Sequence, residues 1–178
     1  MKKISALLVA LVLLLSVLPC SSAFAAKRTY LKTVDDFLSN LNVMSTLMGT
    51  KHGFGWREAD LTQGEKIDTF MMTYNNCEIL MLTCPHNTDK VTSVLITYVE
   101  NSSPLASMYV EDFASLIYEV SYAVGLDENG NSVSDTFKEL GLFDNTDDGD
   151  ANSITVNGFK LSYSVSDALG IMYGIEVA

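Results

Sequence analysis

The chain has 178 residues, with 22 acidic residues against 11 basic residues and a formal net charge of −11. This balance excludes the basic track that phosphate binding needs, so nucleic acid is not an expected partner. The charge is uneven, because residues 26–100 carry a net of −2 and residues 101–178 carry a net of −11. We interpret the acidic half as the surface of a soluble exported protein, one that also attracts basic partners or cations.

Residues 1–25 have the three parts of a secretory signal peptide: a basic end, an apolar run and a small-residue cleavage site. We predict cleavage between Ala25 and Ala26, which leaves residues 26–178 as a single secreted α+β domain with a net charge of −13. Cys20 raises the alternative of a lipoprotein, but Pro19 stands where a lipidation signal needs a small residue. The apolar run is also shorter than the ~20 residues of a spanning helix. We therefore predict an extracellular protein with no transmembrane segment in the mature chain.

The first predicted element is an amphipathic helix that begins after Thr33 and ends at Gly49. Thr33 can cap the helix with Asp36 as the reciprocating acid, and Gly49 supplies a left-handed C-cap. Apolar residues recur at helical spacing at Val34, Phe37, Leu38, Leu41, Met44 and Met48.

A segment rich in β-branched and aromatic residues, 65–100, predicts a three-strand antiparallel meander. Turns are expected at Asn75-Asn76 and at the polar stretch 85–90, although the first two strands could instead run together as one long bent strand. Cys77 and Cys84 lie in this segment, and seven extended residues separate them by roughly 23 Å. That exceeds the ~7 Å limit for a disulfide, so both are interpreted as buried thiols unless the strand breaks between them.

The second half of the chain repeats this order of elements. Ser103 and Pro104 start a helix that ends at Gly125, with its apolar stripe at Leu105, Tyr109, Phe113, Leu116, Val120 and Val124. A short helix follows at residues 133–140. The last predicted strands flank Asn157-Gly158, a strong hairpin signal, and end with a strand at residues 170–177.

Strands in runs with helices between the runs indicate an α+β fold, in which helices pack on one face of antiparallel β-meanders. The order suggests a tandem helix-plus-three-strand repeat with halves 26–101 and 102–178. This plan resembles proteinaceous β-lactamase inhibitors in architecture alone, so no site residue is transferred. The bare face of the sheet is the expected binding surface.

No sequence pattern supports a catalytic or cofactor site. Zinc-ligand spacings, a Gly-x-Ser-x-Gly elbow and a glycine-rich phosphate loop are all missing from the sequence. The acidic stretch that includes Asp144, Asp148 and Asp150 matches part of a calcium loop, but Thr155 stands where a bidentate glutamate belongs. We interpret it as an exposed acidic turn, with Ca²⁺ as the alternative, and expect no other cofactor.

The loop "GTKHGFGWRE" after the first helix holds the candidate binding residues His52, Phe54, Trp56 and Arg57. Its aromatic residues either pin the crossover from helix to sheet or contact a ligand. The favoured function is a secreted, non-catalytic binding or inhibitor-like module for a protein or cell-surface ligand. The alternative is a small secreted hydrolase with a site near His52, where Glu58 and Asp60 could assist acid–base chemistry.

Overall fold

The computed structural model describes residues 28–50, 61–74, 78–98, 106–130, 132–142, 149–166 and 170–178. Within these ranges the chain forms three α-helices: α1 (Val34–Met48), α2 (Ala106–Ala123) and α3 (Val133–Leu140). The same ranges contain seven strands: β1 (Leu61–Gln63), β2 (Ile67–Tyr74), β3 (Glu78–Pro85), β4 (Ser93–Tyr98), β5 (Ala151–Val156), β6 (Phe159–Ser166) and β7 (Gly170–Val177). The predicted α+β class with an antiparallel sheet is confirmed.

The described strands form one antiparallel sheet in the order β1-β2-β3-β4-β7-β6-β5. Within each meander, strands that follow one another in the chain are also neighbours in the sheet. The two meanders join through β4 and β7. Leu95 pairs with Gly174 and Ile96 with Tyr173 at this junction. The last described strand therefore lies near the centre of the sheet, with strands from both halves beside it.

The ends of α1 follow the local sequence signals. The Asp36 backbone N–H donates to Thr33 Oγ1 over 3.2 Å, as expected for an N-cap. Gly49 has a φ of 76°, the left-handed conformation of a C-cap. Asn157 and Gly158 likewise adopt positive φ values of 49° and 82° in the β5–β6 turn. Both the helix boundaries and this hairpin were predictable from the chain alone.

The predicted three-strand meander is present as β2, β3 and β4, with one further strand beside it. β2 and β3 are separate strands that pair from Ile67 opposite Pro85 to Tyr74 opposite Glu78, so the single bent strand is wrong. A further short strand, β1, pairs with the start of β2. The predicted turn at Asn75-Asn76 and the predicted helix start at Ser103 lie outside the described residues.

The core contains buried side chains from α1, α2, α3 and the sheet. Phe113 of α2 lies 5.4 Å from the Tyr98 ring, and Phe137 of α3 lies 5.8 Å from the Tyr173 ring, centroid to centroid. Ser121 Oγ is 3.0 Å from the Tyr173 hydroxyl, so this buried phenol has a polar partner. None of the described helices is long and apolar enough to cross a membrane.

Candidate functional site

Alternation along the strands divides the sheet into two faces of different chemistry. The first face is largely buried and contains Leu80, Leu82, Val94, Ile96, Phe159, Leu161, Tyr163, Tyr173 and Ile175. The second face consists of the intervening positions, whose side chains point the opposite way. The aromatic contacts from α2 and α3 reach Tyr98 and Tyr173, which both belong to the first face.

The second face has an apolar centre, which we call the methionine patch: Met71, Ile79, Met81, Leu95 and Met172. The register places Met71, Met81 and Leu95 side by side on neighbouring strands. Met71 is 48% exposed, and the other four members are partly exposed. A contiguous apolar patch of this kind on a sheet face is typical of an interaction surface.

A row of hydroxyl side chains borders the methionine patch. Thr62, Thr69, Thr83 and Ser93 lie opposite one another on β1, β2, β3 and β4. Thr83 Oγ1 and Ser93 Oγ are 2.6 Å apart, so these hydroxyls satisfy each other. The row adds hydrogen-bonding groups to the surface without adding charge.

The second face carries almost no charge. Among the second-face positions of the described strands, only Lys160 and Glu176 are ionisable, and they are cross-strand neighbours. Lys160 Nζ lies 2.6 Å from Glu176 Oε1, so the two charges offset each other. The whole chain has a net charge of −11, so this face is much less charged than the chain as a whole. Depletion of charge and enrichment in methionine are both characteristic of interface cores.

A second polar cluster lies at one end of β2 and β3. Asp68 Oδ1 accepts from His86 Nδ1 over 2.8 Å, and Asp68 Oδ2 accepts from the Asn87 backbone N–H over 2.8 Å. The Gly64 N–H also donates to Asp68, over 3.3 Å. These hydrogen bonds, chiefly that from His86, hold the pKa of Asp68 below its usual range. The Asp68 carboxylate therefore connects the loop between β1 and β2 to the loop between β3 and β4.

The position of Asp68 predicts a loss of stability in acid. A carboxyl group whose pKa is lower in the folded state stabilises the fold when the pH is above its pKa in the unfolded chain, about 3.9. This stabilisation is lost as the pH falls through the pKa of the folded state. We expect the wild-type melting temperature to fall more steeply below about pH 4 than that of Asp68→Asn. Thermal melts across acidic pH measure this, and parallel curves for the two proteins would contradict it.

Cys84 lies opposite Asp68 in the sheet but does not complete a catalytic set with His86. The thiol is fully buried, and burial together with the nearby charges of Asp68 and Asp89 raises the pKa of Cys84 to about 11. A reactive cysteine needs access and a thiolate near neutral pH, and this residue has neither. The prediction of a buried thiol is confirmed for Cys84, while Cys77 lies outside the described residues.

A buried acid on α2 was not expected from the sequence. Glu119 is fully buried and accepts a hydrogen bond from Thr50 Oγ1. Tyr118, on the same helix, packs edge-on against Phe137 at 4.8 Å between ring centroids. The Thr50 hydroxyl also lies 3.0 Å from Ser45 Oγ, so this network ties the end of α1 to α2.

Most of the sequence-predicted site residues cannot be compared with the structure. His52, Phe54, Trp56 and Arg57 lie outside the described residues, as do Asp144 and Asp148. Asp150 is described, and its backbone carbonyl accepts from the Val165 N–H over 2.8 Å at the start of β5. Thr155, the last position of the calcium template, is five residues further along this strand, roughly 16 Å from Asp150.

No cluster of three or more potential metal ligands occurs within the part of the chain that the structure describes. Comparisons of the chain with protein-family models, curated proteins and solved structures found no match.

The sequence signals for the two polar clusters were weak. Asp68 and His86 are 18 residues apart, and only the pairing of β2 with β3 brings them together. The second face was foreseeable in part, because strand alternation separates Met71, Met81 and Leu95 from the buried positions. Its lack of charge appears only when the strand order is known.

Proposed function

We propose that the protein is a secreted, non-catalytic binding module that holds a protein partner on the second face of its sheet. One observation carries this proposal: the methionine patch lies at the centre of a nearly uncharged face in an acidic protein. Methionine side chains are flexible and polarisable, so such a patch can adapt to an apolar partner surface. The hydroxyl row would form a polar border to that contact.

The export part of the proposal is supported by the N-terminal sequence. Residues 1–25 combine a basic end, an apolar run and small residues before the expected cleavage site. A partner would then be met outside the cytoplasm, either as a secreted protein or on a cell surface. The net charge of the remaining chain favours approach by partners whose periphery is basic.

We also propose that the helices lie on the first face and that the chain is a tandem repeat. Support for the helix placement comes from Phe113 against Tyr98 and from Phe137 against Tyr173. Support for the repeat comes from the element order, since β2-β3-β4 come after α1, and β5-β6-β7 come after α2 and the shorter α3. The final strands of the two meanders, β4 and β7, are neighbours in the sheet, as a twofold axis between the two repeats would place them.

The binding proposal is tested by capture from the native extracellular fluid, followed by affinity measurement with the purified partner. The bait proteins are the mature chain, Met71→Lys in the methionine patch, and Leu47→Lys as a matched control on α1. Leu47 is 73% exposed and lies on a different surface, so it accepts the same charge without touching the second face. We expect Met71→Lys to weaken binding by about tenfold or more, and Leu47→Lys to bind as the wild type does.

Two results would contradict the proposal. One is the failure of the wild-type chain to retain any partner in stoichiometric amount. The other is a partner that binds wild-type and Met71→Lys protein equally well. The hydrolase alternative near His52 stays a prediction, since its residues lie outside the described part of the chain.

A further inference from the structure

The size of the second face matches that of a stable protein–protein interface. Six strands about 4.8 Å apart, with six residues each about 3.3 Å apart, span about 29 Å by 20 Å, and the three residues of β1 bring the area to about 600 Å² on each copy. Two such faces together approach the total of about 1,200–2,000 Å² that specific complexes bury. Area alone thus permits two copies to meet face to face.

Low charge makes the second face suitable for contact between two copies. Each copy of the mature chain carries a net charge of −13, so most orientations bring acidic surfaces together. The second face avoids this repulsion, because Lys160 and Glu176 offset each other and the methionine patch is uncharged. The outer side of α1 is also uncharged from Ser39 to Met48, but it is much smaller. A second copy supplies an equally neutral and equally apolar surface, which a highly charged partner does not.

The geometry of the second face also suits stacking. Antiparallel sheets with the same twist pack about 10 Å apart at an angle near −30°, with side chains from the two faces interdigitating. Met71, Met81 and Leu95 form a continuous row across three strands. A twofold axis near Met81 and Leu95 would place this row against its counterpart and bury the most exposed members of the methionine patch.

Other surfaces are less suitable for pairing two copies. β1 has only three residues, and on the β5 edge the Ser153 N–H is already taken by Asn152 Oδ1 over 2.8 Å. On α1, Val43 and Leu47 line a groove of about 460 Å³, but it spans only two turns of helix. A contact of that size falls well short of the ~800 Å² per partner of a standard interface.

We propose that two copies of the mature chain associate through their second faces, with the methionine patches in contact across a twofold axis. This association occupies the methionine patch that an external partner would also contact, so a second copy and the partner compete for it. It predicts that the protein without a partner is a dimer whose affinity increases with salt, because salt screens the repulsion between two acidic chains. Docking of a basic partner would have the opposite salt dependence.

Sedimentation of the mature chain at low and high sodium chloride tests this proposal. We expect a monomer–dimer equilibrium that shifts toward dimer as salt rises, and a dissociation constant raised about tenfold or more in Met71→Lys. Leu47→Lys is the matched control and should dimerise as the wild type does. Thr73→Lys, at an exposed second-face position, gives a second test should Met71→Lys fail to fold.

Three results would overturn the dimer. The wild-type chain could be a monomer at all concentrations and salts, or folded Met71→Lys and Thr73→Lys could dimerise as tightly as the wild type. The third is a dimer whose affinity falls as salt rises. These outcomes are separate from those of the binding proposal. A monomeric chain that still loses its external partner on Met71→Lys would refute the dimer and keep the binding module. A chain that dimerises but captures no external partner would refute the binding module and keep the dimer.

Discussion

Replacement of Leu82 with aspartate is expected to abolish folding. Leu82 is fully buried on the first face, between Phe70 and Val94 on the neighbouring strands. An ionised carboxylate without a partner in such a place costs several kcal/mol, which is comparable to the whole stability of a domain, about 5–15 kcal/mol. Circular dichroism and thermal melting should show a chain without a cooperative unfolding transition at neutral pH.

The matched control for this experiment is Met71→Asp, the same new side chain on the second face. Met71 is 48% exposed, so its carboxylate stays hydrated and the protein should fold with a melting temperature close to that of the wild type. The contrast tests the division of the sheet into two faces. A cooperative melt for Leu82→Asp near the wild-type temperature would show that this division is wrong.

Truncation of Phe113 to alanine is expected to lower the free energy of unfolding by about 3–5 kcal/mol, the usual cost of removing a buried aromatic ring. Phe113 is fully buried, and its ring contacts Tyr98 of β4. The lost contact would weaken the attachment of α2 to the sheet. Urea denaturation monitored by circular dichroism measures the change.

Leu47→Ala serves as the control, because Leu47 is 73% exposed on α1 and its truncation should change stability by no more than about 0.5 kcal/mol. Similar losses for the two variants would contradict the packing of α2 against β4. Such a result would also remove the main support for placing the helices on the first face.

Local features of the fold were predictable because their causes are local. The Thr33 cap, the left-handed Gly49 and the Asn157-Gly158 turn each depend on a few neighbouring residues. The apolar stripe of α2 also behaved as expected, since Phe113, Leu116 and Val120 are fully buried. In these cases periodicity and backbone preference agree with the tertiary structure.

Features that depend on distant pairing were not predictable in the same way. β1 is too short for its alternation to be recognised, and it pairs only because β2 offers an edge. Glu119 belongs to a helix whose pattern places it off the apolar stripe, yet it is buried beside Thr50. The Asp68–His86 pair and the neutrality of the second face likewise depend on which strands become neighbours.

The central position of β7 has a consequence for the time course of folding. The β4–β7 ladder joins residues more than 70 positions apart, and closing so long a loop is entropically costly and slow. The sheet cannot be completed until residues 170–177 have left the ribosome, because neither meander alone contains the central pair. Until then β4 and β6 lack the strand that joins them, and the two meanders remain separate.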